Sequence, residues 1–477
     1  MLAAGGADFS APPRTTRRRA MNPAVTLAQL DRQQSLHPYT NLRKHEERGP
    51  VIIARGRGIY VYDIEGREYI EGMAGLWCCS LGFSNERLIA AATKQLATLP
   101  YYHGFAHKTS DVAIEAAREL LAIAPGKMAR VFFGTSGSDA NDTAIKLVRY
   151  YNNALGRPNK KKIIARTKGY HGVSVAAASL TGLPHLHTGF DLPGPGVLHT
   201  DCPHHWRFAQ PGESEEAFAA RLARSLEQLI EREGPETIAA FIAEPVMGAG
   251  GVIPPPEGYF DLVQPILKQH DILMIADEVI CGFGRTGQMW GSQTYDIEPD
   301  IVTCAKALTG GYVPFSATLI SQRVYEPIAD QSAKIGTFGH GYTYSAHPLG
   351  AAVAIEAMKI YREVDIAARV RALAPQFQEG LRKLAASPIV GEVRGVGLIA
   401  AVELVKDKAT KESFPPAAAI AGHFAERAHA HGLVLRPLGE AVALCPPLTI
   451  EPAEIDEMLA RFTRALRDTE AYAERFK

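Results

Sequence analysis

Three stretches of this 477-residue chain put reactive side chains where strands should end. Lys306 follows the apolar run IVTCA (301–305), and Asp277 follows ILMIA (272–276). Ser136-Gly137-Ser138 separates VFF (131–133) from the amphipathic segment DANDTAIKLVRYY. A lysine closing an apolar strand is costly as mere structure, because a buried ammonium needs a partner. Desolvation favours the neutral amine, so the position suits a lysine that forms a Schiff base. An aspartate at a neighbouring strand end would hold the pyridine nitrogen of pyridoxal 5′-phosphate (PLP) protonated, making the ring an electron sink. The Gly-Ser turn opening a helix offers backbone N–H groups and a positive dipole end to a phosphate. Singly, each has a plainer reading: a strand-end Asp or Lys is commonly a solvated loop residue, and Ser138 an N-cap. Together they point to a PLP site. GYHG (169–172), after the run KIIA, adds Tyr170 or His171 as a ring that stacks on a flat ligand; a glycine-bounded turn around a core aromatic is the alternative.

The elements that must position these residues are legible around them. From Val131 to about Ser321, apolar runs (VFF, KIIA, AAFIA, ILMIA, IVTCA, ATLI) alternate with amphipathic segments such as EAFAARLARSLEQLIERE and GYFDLVQPILKQH. Continuous apolar strands separated by helices predict an α/β fold whose large, mostly parallel sheet is covered by helices on both faces. Ligands of such sheets collect beyond the carboxyl ends of the strands. GIYVYDIEGREYIEG reads as a hairpin turning at Glu65–Gly66. After about Ser345, helical segments (GAAVAIEAMKIYREV, FPPAAAIAGHFAERAHAHG, AEIDEMLARFTRAL) alternate with the strands GLIAAVEL and VALCP. The expected division is a large PLP-binding domain over 76–344 and a smaller α+β domain built from both chain ends, 21–75 and 345–477.

Composition narrows the function classes. Lysine plus arginine and aspartate plus glutamate each number 51, so no net field favours nucleic acid or an anionic membrane. No apolar run has the eighteen or so residues a membrane span needs. Six cysteines in mostly apolar surroundings, with no CxxC pair, read as free thiols of a cytoplasmic protein. Residues 1–20, ending in Arg17-Arg18-Arg19, read as a disordered tail or as the product of a start assigned too early, with Met21 the true start. They lack the apolar core of a secretory signal, and Pro12-Pro13 interrupt the amphipathic face of an Arg-rich transit peptide.

The segments SGSDANDTAIKLVRYY, GYHG, AAFIAEPVMGAGGV, IADEVICGFGRTG, CAKALTGGYVP and GHGYTYSAHP resemble class III aminotransferases of fold type I, in order along nearly the whole chain. The resemblance implies Lys306 as the Schiff-base lysine and proton shuttle, Asp277 on the pyridine nitrogen and Val279 beneath the ring. It implies Ser136, Gly137 and Ser138 around the phosphate, joined across a homodimer interface by Thr343 of the partner subunit. Tyr170 would stack on the ring with His171 beside it, and Glu244 would stand behind Asp277. Two departures from the family pattern are Asp139, where Glu is usual, and Ala346, where Gly is frequent. GMAGLWC (72–78) and HPYTNL (37–42) resemble the pyruvate-dependent amine and ω-amino-acid transaminases. That branch implies an aromatic substrate pocket of Tyr39, Trp77 and Tyr170, with Arg436 as a mobile clamp for the substrate carboxylate. The expected reaction moves an amino group from a primary amine, polyamine or ω-amino acid through pyridoxamine phosphate to a keto acid, pyruvate first among them. An aminomutase, racemase or decarboxylase on the same scaffold is the nearest alternative, and a non-catalytic PLP-binding sensor a more distant one.

Two further signals are set aside. GFGRTG (282–287) matches GxGxxG, but no helical period follows it and Asp277-Glu278 intervene after the strand. His199, Cys202, His204 and His205 crowd together at no familiar metal-site spacing, so no metal is expected.

Overall fold

The six apolar runs all form strands of one seven-stranded sheet in the computed structural model, which describes residues 26–476. The spatial order is Met128–Gly134, Ser316–Ser321, Ile301–Cys304, Leu273–Asp277, Ile238–Ala243, Lys162–Arg166, Val197–Thr200. Only Ser316–Ser321 runs antiparallel to its neighbours. The seventh strand, Val197–Thr200, is not one of the six runs: it has four residues, two of them His199 and Thr200, and sits at the sheet edge. Every residue of Ile238–Ala243 is buried, which is why its sequence shows no alternation. On one face, Ala144, Leu147 and Val148 of helix Gly137–Ala154 pack against Ile163, Ile242 and Ile275. On the other, Phe218, Leu222 and Leu226 of Glu215–Glu233 and Val263 of Tyr259–Gln269 pack against Phe241 and Met274. Full burial of such a side chain contributes about 1.5–3 kcal/mol, so both layers hold the strand ends in place.

A second sheet, all antiparallel, is ordered Val390–Val396, Ile399–Leu404, Ala441–Leu444, Arg436–Leu438. Helices Ile366–Arg382, Ile420–Ala430 and Pro452–Ala473 belong to the same part of the chain. The segment expected to be helical from Phe414 becomes α-helical only at Ile420. Pro415 and Pro416 open a single 3₁₀ turn instead, and Ala419 leaves it in a left-handed conformation (φ 44°).

Contact density divides the chain into a small unit, Met1–Arg55 with Tyr62–Arg67, and a large one, Gly56–Val61 with Glu68–Lys477. Within the small unit, Thr26 and Gln29 form a capping box for helix Leu27–Gln34, and Asn41 caps Leu42–Arg48. The turn expected at Glu65–Gly66 is present: the Gly66 N–H donates to the Asp63 carbonyl at 3.0 Å, and Gly66 has φ 84°. The readings of residues 1–20 and of Met21 as the start fall outside the described residues. No helix among the described residues is long and apolar enough to cross a membrane.

Candidate active site

Strand Leu273–Asp277 ends at Asp277, and its neighbour Ile301–Cys304 ends two residues before Lys306. Because Asp277 pairs with Thr303, both side chains emerge at the same carboxyl edge. There Gly137, Ser138, Tyr170, His171, Glu244, Asp277, Val279 and Lys306 line one cavity of about 140 Å³, together with Asn141, Gly172 and Ile280.

Asp277 is 3% exposed. Its Oδ2 accepts from Nδ2 of Asn141 at 2.8 Å and lies 2.8 Å from Nδ1 of His171, while Oδ1 accepts the Val279 N–H at 3.2 Å. Nε2 of His171 is buried without a hydrogen-bond partner among the described residues. The Asn141 amide also donates to the His171 carbonyl at 2.6 Å, and its oxygen accepts from the Thr303 hydroxyl at 2.8 Å. Asn141 and Thr303 were not singled out from the sequence. The available signal is that Asn141 lies one helical turn beyond Gly137 and so shares its face. Glu244 accepts the N–H groups of Tyr170 at 2.9 Å and Gly248 at 2.8 Å, and burial raises its pKa.

Lys306 has φ 48°, a left-handed conformation that costs a non-glycine residue about 1–2 kcal/mol. Strain of this kind concentrates at functional sites. Desolvation lowers the pKa of Lys306; Cys78, Asp277 and Glu244 oppose that shift, and the nearby charge of Arg436 adds to it. The result favours the free amine, the form that attacks a carbonyl carbon.

At the other end of the cavity, Ser136 caps helix Gly137–Ala154 by accepting the Asp139 N–H at 3.1 Å. Asp139 returns the contact by accepting the Ser136 N–H at 3.0 Å, and also accepts from Thr135 and Ser316. The shorter acid at 139 therefore completes a capping box. No partner is recorded among the described residues for the N–H groups of Gly137 and Ser138, which start the helix. A Cβ on Gly137 would meet the Val279 methyls at 3.0 and 3.2 Å, so glycine lets the helix start and Val279 stand this close without either shifting. The arrangement fits PLP: anion-binding N–H groups at one end, a carboxylate with Oδ1 only weakly engaged at the other, and a desolvated amine between neighbouring strand ends.

Five expected residues lie outside the cavity lining. Arg436 is half-buried at the start of the edge strand Arg436–Leu438. Trp77 is buried at φ 66° in an apolar cluster with Val246, Ile280 and Ala443, and Ile280 is also a cavity residue. Thr343 is exposed, its carbonyl accepting the Tyr101 hydroxyl at 2.8 Å. Tyr39 belongs to the small unit and is exposed at φ 52°. Ser136 itself is exposed at the cap rather than in the lining.

Of the signals set aside, GFGRTG forms consecutive turns, and Arg285 within it donates to the carbonyls of Leu398 at 3.0 Å and Pro446 at 2.6 Å. His204 pairs with Glu392 at 2.7 Å in a network that Arg394 and Arg207 complete.

The class-III aminotransferase family model matches residues 42–466. Gamma aminobutyrate transaminase 1, mitochondrial, of Solanum lycopersicum is 54% identical over 443 residues, 93% of this chain and 86% of that protein. Vanillin aminotransferase of Capsicum frutescens is 53% identical over 429 residues, 90% and 94% of the two chains. The omega transaminase from Pseudomonas jessenii in complex with PMP superposes with a TM-score of 0.93 at 54% identity, over 94% of this chain and 99% of that one. The PMP-bound aminotransferase from Vibrio fluvialis gives 0.92 at 43% identity, with the same coverage. These relatives correct one expectation: several are named mitochondrial or chloroplastic, so the cytoplasmic placement does not stand. The unpaired cysteines from which it was drawn do not specify a compartment. The strand-end lysine and aspartate, the glycine-lined helix start and the match along the chain lead to one assignment: the protein belongs to the class III aminotransferases, PLP-dependent enzymes of fold type I.

Proposed function

We propose that the enzyme moves an amino group from a primary amine, polyamine or ω-amino acid to a keto acid, with pyruvate as acceptor. Arg436 carries this reading: a guanidinium near enough to Lys306 for its charge to act there, with no hydrogen bond or ion pair recorded among the described residues, suits a carboxylate-bearing substrate. The names of the relatives, gamma aminobutyrate transaminase and omega transaminase, support a donor whose amine lies far from its carboxylate or that lacks one.

When bound, PLP supplies an electron sink for the pair left as a proton leaves the donor carbon. The chain's own residues would divide the remaining work. Lys306 would anchor the cofactor aldehyde and then, as a free amine, carry the proton between the donor carbon and the cofactor carbon beside it. Asp277, oriented by Asn141 and His171, would keep the pyridine nitrogen protonated, and Val279 would support the ring from below. Tyr170 would cover the opposite face, while Ser136, Gly137 and Ser138 would hold the phosphate on the helix start. Glu244, fixed by two backbone N–H groups, would brace the turn that carries Tyr170. The active unit would be a homodimer in which Thr343 of the partner subunit completes the phosphate site. Trp77 would form the aromatic side of the substrate space.

A donor panel spanning aryl amines, diamines and ω-amino acids, read by alanine formation from pyruvate, tests the assignment. Turnover with 2-oxoglutarate but not with pyruvate would overturn it.

A further inference from the structure

Two imidazoles and a carboxylate converge in the small unit, in a cluster that the transaminase reaction does not use. Nε2 of His37 lies 3.0 Å from Oδ1 and 2.9 Å from Oδ2 of Asp31, and Nε2 of His45 lies 2.9 Å from that same Oδ2. The rings stand side by side, centroids 3.9 Å apart and tilted by 33°, with their Nε2 ends together. The three ligand atoms lie within 4.8 Å of one another. We infer that Asp31, His37 and His45 form a binding site for a borderline divalent transition-metal ion such as Zn²⁺, Co²⁺, Ni²⁺ or Cu²⁺.

The geometry favours an ion over hydrogen bonds alone. A neutral ring nitrogen carries one hydrogen, yet Nε2 of His37 is almost equidistant from both carboxylate oxygens and so aims well at neither. A metal removes that difficulty, because the ring nitrogens then present lone pairs to the ion and the carboxylate binds it as an anion. On bonds of 2.0–2.1 Å, ligand atoms at right angles stand about 2.9 Å apart, the spacing of both Nε2 atoms from Oδ2, which suits a square-planar or octahedral ion better than a tetrahedral one. Imidazole nitrogen with carboxylate oxygen selects borderline ions over Ca²⁺ or Mg²⁺. The side chains of Asp31, His37 and His45 are 23%, 28% and 11% exposed, so an ion can enter and complete its shell with water.

The position gives the ion a task. Asp31 lies in helix Leu27–Gln34, His37 just beyond its end, and His45 in helix Leu42–Arg48. Helices of eight and seven residues are marginal by themselves. One ion would pin both to the intervening loop, as structural metals do. The other such convergence among the described residues, His204 with Glu392 and Glu403, is already neutralised by Arg394 and Arg207.

The test uses untagged holoenzyme stripped with a chelator and dialysed. Calorimetric titration with Zn²⁺ should show one ion per chain, and the Cu²⁺-loaded protein should give an electron paramagnetic resonance spectrum with hyperfine structure from two imidazole nitrogens. The single variants His37→Gln and His45→Gln should weaken Zn²⁺ binding beyond the roughly 10–100-fold typical of losing an outer-shell partner. His204→Gln should leave it unchanged. Bound-cofactor absorbance, retained in all variants, reports that each still folds. The inference is overturned if wild-type protein binds no Zn²⁺, if binding survives the His37→Gln/His45→Gln double variant, or if the Cu²⁺ spectrum shows no imidazole nitrogen.

Discussion

The cofactor end of the site and the edge strand carrying Arg436 are built by opposite means. Asp277 is fixed by Asn141, His171 and the Val279 N–H, and the strand bearing it lies buried between helical layers. Arg436 begins a three-residue strand at the edge of the smaller sheet, beside exposed Pro437, paired on one side only with Ala441–Leu444. A reaction in two halves needs both kinds of construction. The cofactor chemistry is the same in each half and benefits from preorganisation. The substrate is not: an amine without a carboxylate and a keto acid would use one space in turn, so a charge held rigidly there would be buried unpaired in one of the two halves.

The largest expected effect is at the fixed end. Lys306→Ala should abolish turnover while leaving the fold and the phosphate cradle intact, because attachment point and proton carrier are lost together. Borohydride treatment of the wild-type holoenzyme followed by peptide mapping should find the cofactor on Lys306 alone; an adduct on any other lysine overturns the assignment. Asp277→Asn comes next, with a loss of several orders of magnitude in rate at retained stability. A loss of tenfold or less would mean that another group holds the pyridine nitrogen, and the fixed end would then be less dependent on one contact than its hydrogen bonds imply.

The adaptable end should respond selectively. Losing one partner of a buried, hydrogen-bonded charge pair costs about 2–5 kcal/mol, or roughly thirty- to several-thousand-fold. Arg436→Ala should slow the pyruvate half-reaction by about that factor and barely change the half-reaction with a simple aryl amine. Single-turnover kinetics on each half, run separately, checks this. Equal damage to both halves would make Arg436 part of the scaffold and erase the contrast between the two regions.

What was legible in the sequence divides along the same line. Strands buried on both faces print as continuous apolar runs, so six of the seven were readable, and with them the strand ends bearing Asp277 and Lys306. Val197–Thr200 was not, because an edge strand of four residues carries too few apolar side chains to stand out. Asn141 and Thr303 were hidden because a buried polar residue announces itself only through its partners, here 136 residues away for Asn141 and Asp277. Asp139 departs from the family pattern, yet its capping role is local and depends only on its place three residues after Ser136. The Asp31–His37–His45 cluster was invisible for the opposite reason: spacings of six and eight residues match no metal motif until a helix, a loop and a second helix fold them together.

The smallest effect expected tests whether left-handed strain away from the cavity lining is needed or merely tolerated. Ala346 has φ 56°, just before the His347 cap of helix Pro348–Glu363, and its methyl packs partly buried against the main core. A left-handed alanine costs about 1–2 kcal/mol, whereas glycine gives back roughly 0.5–1 kcal/mol through the greater freedom of the unfolded chain. Ala346→Gly should therefore raise stability by at most about 1.5 kcal/mol, read as a higher midpoint in urea at unchanged slope. Turnover should not change, because the strain at 346 does not lie at a group that touches the cofactor. Lys306, at φ 48°, differs in that its conformation aims the amine into the cavity. If Ala346→Gly lowers stability, the packed methyl outweighs the backbone strain, and the left-handed residues of this chain must each be judged by what their side chains touch.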